Sequence, residues 1–253
     1  MEMQREVHIG GKELLGLVGL RSEEIGKYAL VPGSPERLRV ILKRLENPLK
    51  NFTFFDYTMY TGTYNGQKIS VINGGRYSPD SAIIGELLCE AGVEYIIRIG
   101  SCGSLCEDIK VGDVIIATGA VRGEGVTPYY VPANFSTVAD VEVTHALIES
   151  LEKSDLNFRY GLVWTTDALL KETREQVEKM RALKVIGVDM VSSSLLTVAQ
   201  LKGVKAGSIL AVSDNLITGE LGFANFLFYE AETKIINLAL DTLTIIHERK
   251  KEN

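Results

Sequence analysis

Residues 28–37 join a short apolar strand to a helix through a Pro-Gly turn, and this junction limits the chain to folds in which strands lead directly into helices. Ser34 is a favourable capping residue, and Pro35 suits the first position of a helix. Apolar residues then recur at the spacing of a one-faced helix, at Leu38, Ile41, Leu42 and Leu45. The sequence therefore predicts a strand followed at once by an amphipathic helix.

The turn between this strand and helix is a candidate anion site. The backbone N–H of Gly33 and the guanidinium of Arg37 can converge at the helix N-terminus, where the helix dipole favours negative charge. The same residues also suit an ordinary connecting loop with Arg37 at the surface. This stretch alone does not decide between the two interpretations.

Strand and helix patterns alternate along the rest of the chain, which predicts an α/β fold with a parallel or mixed sheet. Further strands are predicted at 52–64, 68–72, 95–99, 114–118, 160–164, 184–190 and 208–212, and helices at 78–91, 143–151, 172–181, 194–201 and 226–248. Because no repeat or linker interrupts the pattern, we expect one domain over residues 1–253, a three-layer sandwich. Ligands of such sheets bind at the carboxyl ends of the strands.

Composition excludes several classes of function. The 253 residues are 45% hydrophobic and carry a net charge of −6, with both signs spread along the chain. No basic block is present, so nucleic acid is not an expected partner. No apolar run reaches the roughly 20 residues that span a bilayer, and no signal-peptide pattern is visible. We therefore expect a cytoplasmic protein without a membrane partner.

Three cysteines, Cys89, Cys102 and Cys106, form an odd and sparse set that indicates a reducing compartment. Cys102 and Cys106 are four residues apart, but no histidine cluster accompanies them, so a zinc site is not expected. Core packing is the ordinary role of such thiols. A local disulfide and a thiol nucleophile are the alternatives.

An arginine interrupts the apolar strand predicted at 95–99. A charge such as that of Arg98 is costly inside a strand unless it is paired or binds a ligand. The Gly-Ser-Cys-Gly loop at 100–103, which includes Ser101, lets backbone amides approach an anion closely. An internal ion pair explains Arg98 as well as anion binding does.

Acidic residues end two other predicted strands. Asp214 can act as a general acid if its pKa is raised, although a turn or helix-capping role is the more ordinary explanation. Asp189 and Met190 suit a polar-rimmed pocket, and they equally suit a plain strand end before a helix. Taken together, the two arginines, the backbone amides and Asp214 are what phosphate attack on a glycosidic carbon requires.

Several motifs in this order resemble the nucleoside phosphorylases of the purine and uridine phosphorylase class. The matching stretches are 7–10, 31–37, 60–66, 97–103, 110–114 and 212–215, of which the arginine-centred 97–103 is the most specific. The resemblance covers nearly the whole chain. It implies one α/β domain around a mixed, partly closed sheet, dimers assembled into a hexamer, and inorganic phosphate as co-substrate without a metal or organic cofactor.

The resemblance also implies roles for individual residues. Phosphate binding is implied for Gly33, Arg37, Arg98 and Ser101, and protonation of the purine ring nitrogen for Asp214. Nucleoside contacts are implied for His8, Leu169, Asp189, Met190, Val191 and Ser213. Within this set, Met190 would pack against the ribose, and His8 would reach into a neighbouring subunit's site near the 5′ end of the sugar.

The chain departs from the family pattern at three places. Val191 stands where a glutamate grips the ribose hydroxyls, and a valine cannot accept hydrogen bonds. Phe55 falls near the position of an arginine that a neighbouring subunit donates to the phosphate. The loop at 73–80 is also altered, and its Arg76 brings a positive charge.

The base pocket favours a purine. Thr173 and Glu175 fall where uridine-specific members carry a glutamine and an arginine, whereas Asp214 is the purine-type residue. We therefore expect phosphorolysis of a nucleoside, preferably a purine nucleoside, to the free base and (deoxy)ribose 1-phosphate. The alternatives are a uridine phosphorylase and, because of Val191, a non-catalytic nucleoside- or nucleobase-binding protein on the same fold.

Overall fold

A mixed ten-stranded sheet organises the protein, whose computed structural model describes residues 9–252. The strands are β1 Tyr28–Pro32, β2 Glu46–Phe54, β3 Tyr57–Tyr64, β4 Gln67–Ile72, β5 Tyr95–Ser104, β6 Val114–Gly123, β7 Phe158–Thr166, β8 Gly187–Asp189, β9 Lys205–Asn215 and β10 Glu220–Leu221. The helices are α1 Gly11–Val18, α2 Pro35–Leu42, α3 Ser78–Glu90, α4 Val141–Glu152, α5 Arg174–Ala182, α6 Ser192–Leu201 and α7 Phe226–Glu252.

Five of these strands close on themselves. β9 pairs in parallel with β5 and antiparallel with β6, β7 pairs with β6 and β8, and β8 returns to β5. From β5 the sheet continues outward through β1, β4, β3 and β2. The sheet is therefore mixed and partly closed, which confirms the expected fold class.

Helices cover both faces of the open part of the sheet. Side chains alternate between the faces along each strand, so Leu30 and Ile97 pack into one cluster with α2, α4 and α7. Val31 and Ile96 face the opposite cluster, which holds residues of α3 and α6. The result is the predicted three-layer arrangement. None of the helices within 9–252 has the length and apolar content needed to cross a bilayer.

The junction between β1 and α2 has the predicted geometry. Ser34 caps α2, and its hydroxyl accepts a hydrogen bond from the Arg37 backbone N–H at 3.2 Å, with Pro35 at the first helical position. β1 lies between β4 and β5 and runs parallel to both. The carboxyl ends of these strands, and the loops that follow them, therefore meet at one edge.

Most predicted strands are longer in the structure, and two differ from the prediction in kind. The strand predicted at 52–64 is the end of β2 and the whole of β3, joined by a tight turn at Phe55 and Asp56. Phe55 has a φ of 48°, a region that bulky residues seldom adopt, so composition carries no turn signal there. The strand predicted at 184–190 is confined to β8. The chain is still in a turn at Lys184, which adopts a φ of 62°, so the strand begins only at Gly187.

Candidate active site

A cavity of about 300 Å³ lies where the carboxyl ends of β1, β8 and β9 meet the middle of β5. Of the site residues predicted from the sequence, nine that fall within 9–252 line it: Gly33, Arg37, Arg98, Ser101, Leu169, Asp189, Met190, Ser213 and Asp214. Val191 does not line it, and His8 lies outside the described residues. Residues that are distant in sequence therefore share one cavity with both arginines and Asp214.

Arg37 is fixed in the cavity by three partners. Its Nε donates to Glu232 Oε1 at 2.8 Å, its Nη2 donates to the Ser101 hydroxyl at 3.2 Å, and its Nη1 donates to the carbonyl of Ile99 at 3.3 Å. Its side chain is only 11% exposed. Arg37 therefore does not lie on the surface, and Glu232 from α7 balances its charge.

Arg98 is buried at the base of the cavity. Its Nη2 lies 3.4 Å from Asp189 Oδ2, while Nε and Nη1 have no hydrogen-bond partner among the described residues. The guanidinium folds over Gly100, where a Cβ would collide with it. Burial lowers the pKa of Arg98. An ion pair thus satisfies one edge of the guanidinium, and two buried donors have no partner among the described residues, which is uncommon in folded proteins.

Both carboxylate oxygens of Asp189 are hydrogen-bonded or ion-paired within the protein. Its Oδ1 accepts from the Thr165 hydroxyl at 2.8 Å, and its Oδ2 accepts from the Ser192 backbone N–H at 3.0 Å and the Ser192 hydroxyl at 2.7 Å. Together with the ion pair to Arg98, these contacts occupy both oxygens. Asp189 therefore orients Arg98 and satisfies a backbone donor at the start of α6.

The chain turns away from the cavity directly after Met190. Met190 lines the cavity, and its carbonyl accepts a hydrogen bond from the Ser78 hydroxyl at 2.9 Å. The side chain of Val191 is fully buried and packs into the protein at the start of α6. Neither residue presents a carboxylate to the cavity.

A β-bulge presents Asp214 to the cavity. β5 and β9 pair Cys102 with Val212 and then Gly103 with Asp214, so Ser213 is an extra residue in β9. The Ser213 hydroxyl lies 2.6 Å from Asp214 Oδ1. A Cβ at Gly103 would be 2.4 Å from Leu216 Cδ1 and 3.0 Å from Asp214 Oδ2, so a side chain there would crowd the carboxylate.

A second carboxylate, Glu172, lines the cavity, and the sequence interpretation did not single it out. It follows the short helical turn Leu169–Lys171 that comes after β7, and it is half-buried. Burial, together with the nearby charge of Asp214, raises the pKa of Glu172 to about 7. Ligands of α/β sheets bind at the carboxyl ends of strands, so the loop that follows β7 is a place where the sequence could have indicated Glu172.

A larger cavity of about 650 Å³ lies elsewhere, between β6, β7 and the segment 127–138. Its charged lining residue is Arg122, whose guanidinium donates to the carbonyls of Pro132 and Ala133 at 2.7 and 2.6 Å. It therefore lacks the convergent charged groups of the smaller cavity.

The cysteines and the other potential metal ligands do not form a second reactive centre among the described residues. The three cysteines are free thiols, and burial raises the pKa of Cys102 well above its ordinary value, which argues against a thiol nucleophile. Within residues 9–252, no group of three or more His, Cys, Asp or Glu side chains is placed to hold a metal ion.

Comparison with known proteins gives consistent relatives. The family model described as the phosphorylase superfamily matches residues 27–244. The uridine phosphorylase of Thermococcus kodakarensis is 33% identical over 220 residues, which are 82% of this chain and 79% of that protein. A DeoD-type purine nucleoside phosphorylase of Mannheimia succiniciproducens is 36% identical over 194 residues, which are 76% of this chain and 82% of that protein.

A solved structure agrees with these relatives. The crystal structure of uridine phosphorylase from Vibrio fischeri, complexed with 6-hydroxy-1-naphthoic acid, superposes with a TM-score of 0.82 at 26% identity. The match covers 89% of this chain and 94% of that one. The expected resemblance is thus confirmed: the chain belongs to the phosphorylase superfamily and is an enzyme of the nucleoside phosphorylase family.

Proposed function

We propose that this enzyme cleaves a nucleoside with inorganic phosphate, giving the free base and (deoxy)ribose 1-phosphate, and that it prefers purine nucleosides. One observation carries the proposal most directly. Arg98 is buried in the cavity with two guanidinium nitrogens unpartnered among the described residues, and Asp214 lines the same cavity. A phosphate bound there would meet those donors beside a potential proton donor.

The phosphate is held at the junction of β1 and α2. The Gly33 backbone and the first turn of α2 offer the positive end of the helix dipole, and a Cβ at Gly33 would lie 3.1 Å from Arg37 Nη1. Arg37 and Ser101 form one side of the cradle, and Arg98 forms its base. Two guanidinium groups suit the oxygens of one phosphate, because each can donate in a planar, paired geometry.

Protonation of the leaving base falls to Asp214. A purine leaves more readily when a ring nitrogen is protonated as the glycosidic bond breaks, because it then departs as the neutral base, and the uracil ring has no equivalent nitrogen. Leu169 and Ser213 line the same cavity, where they would contact the base. This difference between the two kinds of base is why we favour a purine substrate.

The sugar side of the cavity is less polar than the family pattern implies. Asp189 is occupied by Arg98, Thr165 and Ser192, and Val191 points into the core. Met190 therefore provides mainly apolar contact to the sugar. We propose that the 2′-hydroxyl contributes little to binding, so that deoxynucleosides are also substrates.

The proposed oligomeric state and cellular location are those that the family resemblance implies. We propose one catalytic domain over residues 1–253, dimers within a hexamer, and a cytoplasmic enzyme that needs no cofactor besides phosphate. His8, the sequence candidate for a contact donated to a neighbouring subunit, lies outside the described residues. Sedimentation analysis of the purified protein tests the hexamer.

The experiment is a substrate panel with and without phosphate. Inosine, adenosine, guanosine and uridine are incubated with the enzyme, and base release is followed by chromatography. We expect release that requires phosphate and is faster for purines. Base release at the same rate with and without phosphate would indicate a hydrolase. A ligand-induced rise in melting temperature without any release would indicate a binding protein.

A further inference from the structure

The charges around the cavity are unevenly matched. Arg37 is paired with Glu232, and Arg98 is paired with Asp189. Each arginine at the bottom of the cavity therefore already faces a carboxylate, and each pair is close to neutral. Arg76, at the rim, has no ion pair or hydrogen bond to any described residue.

The remaining acidic residues sharpen this imbalance. Asp214 and Glu172 also line the cavity, and no basic side chain within 9–252 is paired with either of them. Because these carboxylates offset the positive charge of Arg37 and Arg98, a lining without Arg76 would attract an incoming phosphate dianion only weakly. A further cation is needed when phosphate enters, and Arg76 is the lining residue that can supply it.

We propose that Arg76 is a third phosphate-binding arginine, supplied by the same subunit, whose side chain folds over the anion held by Arg37 and Arg98. The inference rests on the proposed function, because it names a binding residue for the phosphate of that reaction. It assigns the role to the loop after β4 and not to a neighbouring chain.

The backbone next to Arg76 packs against the junction of β1 and α2, where the phosphate is proposed to bind. The Gly75 N–H donates to the Pro32 carbonyl at 3.2 Å, and a Cβ at Gly75 would lie 2.9 Å from the carbonyl oxygen of Val31. A Cβ at Gly33 would in turn lie 2.9 Å from the Gly75 carbonyl oxygen. A side chain at either glycine would push the loop after β4 away from the end of β1, so the close packing of this loop against Gly33 depends on both glycines.

Both ends of the loop are anchored as well. The Asn73 side chain accepts from the Thr58 N–H at 2.6 Å and donates to the Asp56 carbonyl at 2.7 Å. On the other side, the Ser78 hydroxyl is bonded to the Met190 carbonyl. The backbone that carries Arg76 is therefore fixed, while its long side chain is exposed and free to reorient toward an anion.

The test compares Arg76→Ala and Arg76→Lys with the wild-type enzyme. The control is Arg39→Ala, which removes an exposed arginine of α2 that pairs with Glu36 and does not line the cavity. Calorimetry measures the Kd for inorganic phosphate, and steady-state rates give KM for phosphate and for nucleoside. Because Arg76 is exposed and without partners in the described chain, all variants should keep the wild-type melting temperature.

We expect Arg76→Ala to weaken phosphate binding about tenfold or more, with a smaller loss for lysine, which keeps the charge but not the planar fork. The Arg39 control and the nucleoside KM should change less than about twofold. Unchanged phosphate binding in Arg76→Ala would overturn the role of Arg76 and leave the proposed function intact. A wild-type enzyme that binds no phosphate would overturn both.

Discussion

The Arg98 Nη2 and the Asp189 Oδ2 lie 3.4 Å apart, both fully or almost fully buried, at the base of the cavity. This pair fixes one edge of the guanidinium and leaves its Nε and Nη1 directed elsewhere. It also explains why the acidic residue that ends β8 is not available to the sugar. One carboxylate has been committed to orienting the cation that we expect to hold phosphate.

Removing the carboxylate from this pair should destabilise the protein. Asp189→Asn leaves a buried arginine without its counter-charge, so we expect the free energy of unfolding to fall by about 3 kcal/mol. Urea denaturation at pH 7 measures the difference. Glu36→Gln, which breaks an exposed pair with Arg39, is the control and should leave the urea midpoint close to that of the wild type. A similarly small change for Asp189→Asn would contradict the assigned role.

A methyl group at Gly100 should displace the Arg98 guanidinium, because a Cβ there occupies the space of Nη1. We expect Gly100→Ala to raise KM for phosphate at least about tenfold, since it displaces the Arg98 guanidinium from its place in the cavity lining. The matched control is Gly16→Ala in α1, where a Cβ meets no atom within 4 Å. If both alanine variants have the wild-type KM for phosphate, Arg98 does not hold the anion.

Asp214→Asn should lose activity only where the leaving base needs a proton. We expect kcat for inosine to fall by about 10²- to 10⁴-fold, as for other general acids. A purine nucleoside already methylated at N7 leaves as a neutral base, so the variant should cleave it at close to the wild-type rate. Equal losses on the two substrates would show that Asp214 positions the nucleoside and does not donate a proton.

The raised pKa of Glu172 should make the stability of the folded protein depend on pH. The ordinary pKa of a glutamate is 4.5, whereas burial and Asp214 raise that of Glu172 to about 7. Between these values the native state holds a proton that the unfolded state has lost, so stability falls as pH rises. Above about pH 7 the native state bears the cost of the buried charge.

The corresponding variant is Glu172→Gln, which cannot ionise. Relative to wild type it should gain about 1 kcal/mol of stability between pH 5 and pH 8, a figure reduced for solvent access. Glu175→Gln, at an exposed position of α5, should show no such gain. Thermal or urea unfolding at the two pH values gives the comparison, and parallel behaviour of the two variants would exclude the raised pKa.

The sugar preference tests the role assigned to Met190 and Val191. Because no carboxylate at these positions reaches the cavity, 2′-deoxyinosine and inosine should have kcat/KM values within about threefold of each other. Competition between the two substrates in one reaction measures the ratio. A preference for inosine of a hundredfold or more would mean that another group grips the 2′-hydroxyl.

Much of the cavity lining could be predicted from local sequence. Arg98 stands out because it is a charge in an apolar strand, whereas Asp214 near the end of β9 and Gly33 before a capped helix fit ordinary local patterns. Each of these patterns is visible in a window of about ten residues. The shared edge of the sheet then brings them together, as expected for an α/β fold.

The remaining features depend on long-range contacts that no local pattern reveals. Glu232 pairs with Arg37 from 195 residues away, and nothing in the sequence around it distinguishes it from the other glutamates of α7. The bulge at Ser213 becomes visible only when β9 is paired with β5. The ion pair between Asp189 and Arg98 could not be inferred from the alternation of side chains along β8, because that strand ends at Asp189.

Phosphorus NMR of a reaction with inosine and phosphate tests the central claim most directly, because the phosphate itself is followed. The account predicts that one ribose 1-phosphate appears for each hypoxanthine released, and that none forms with the Arg98→Ala variant. Hypoxanthine accompanied by free ribose and unchanged phosphate would contradict it.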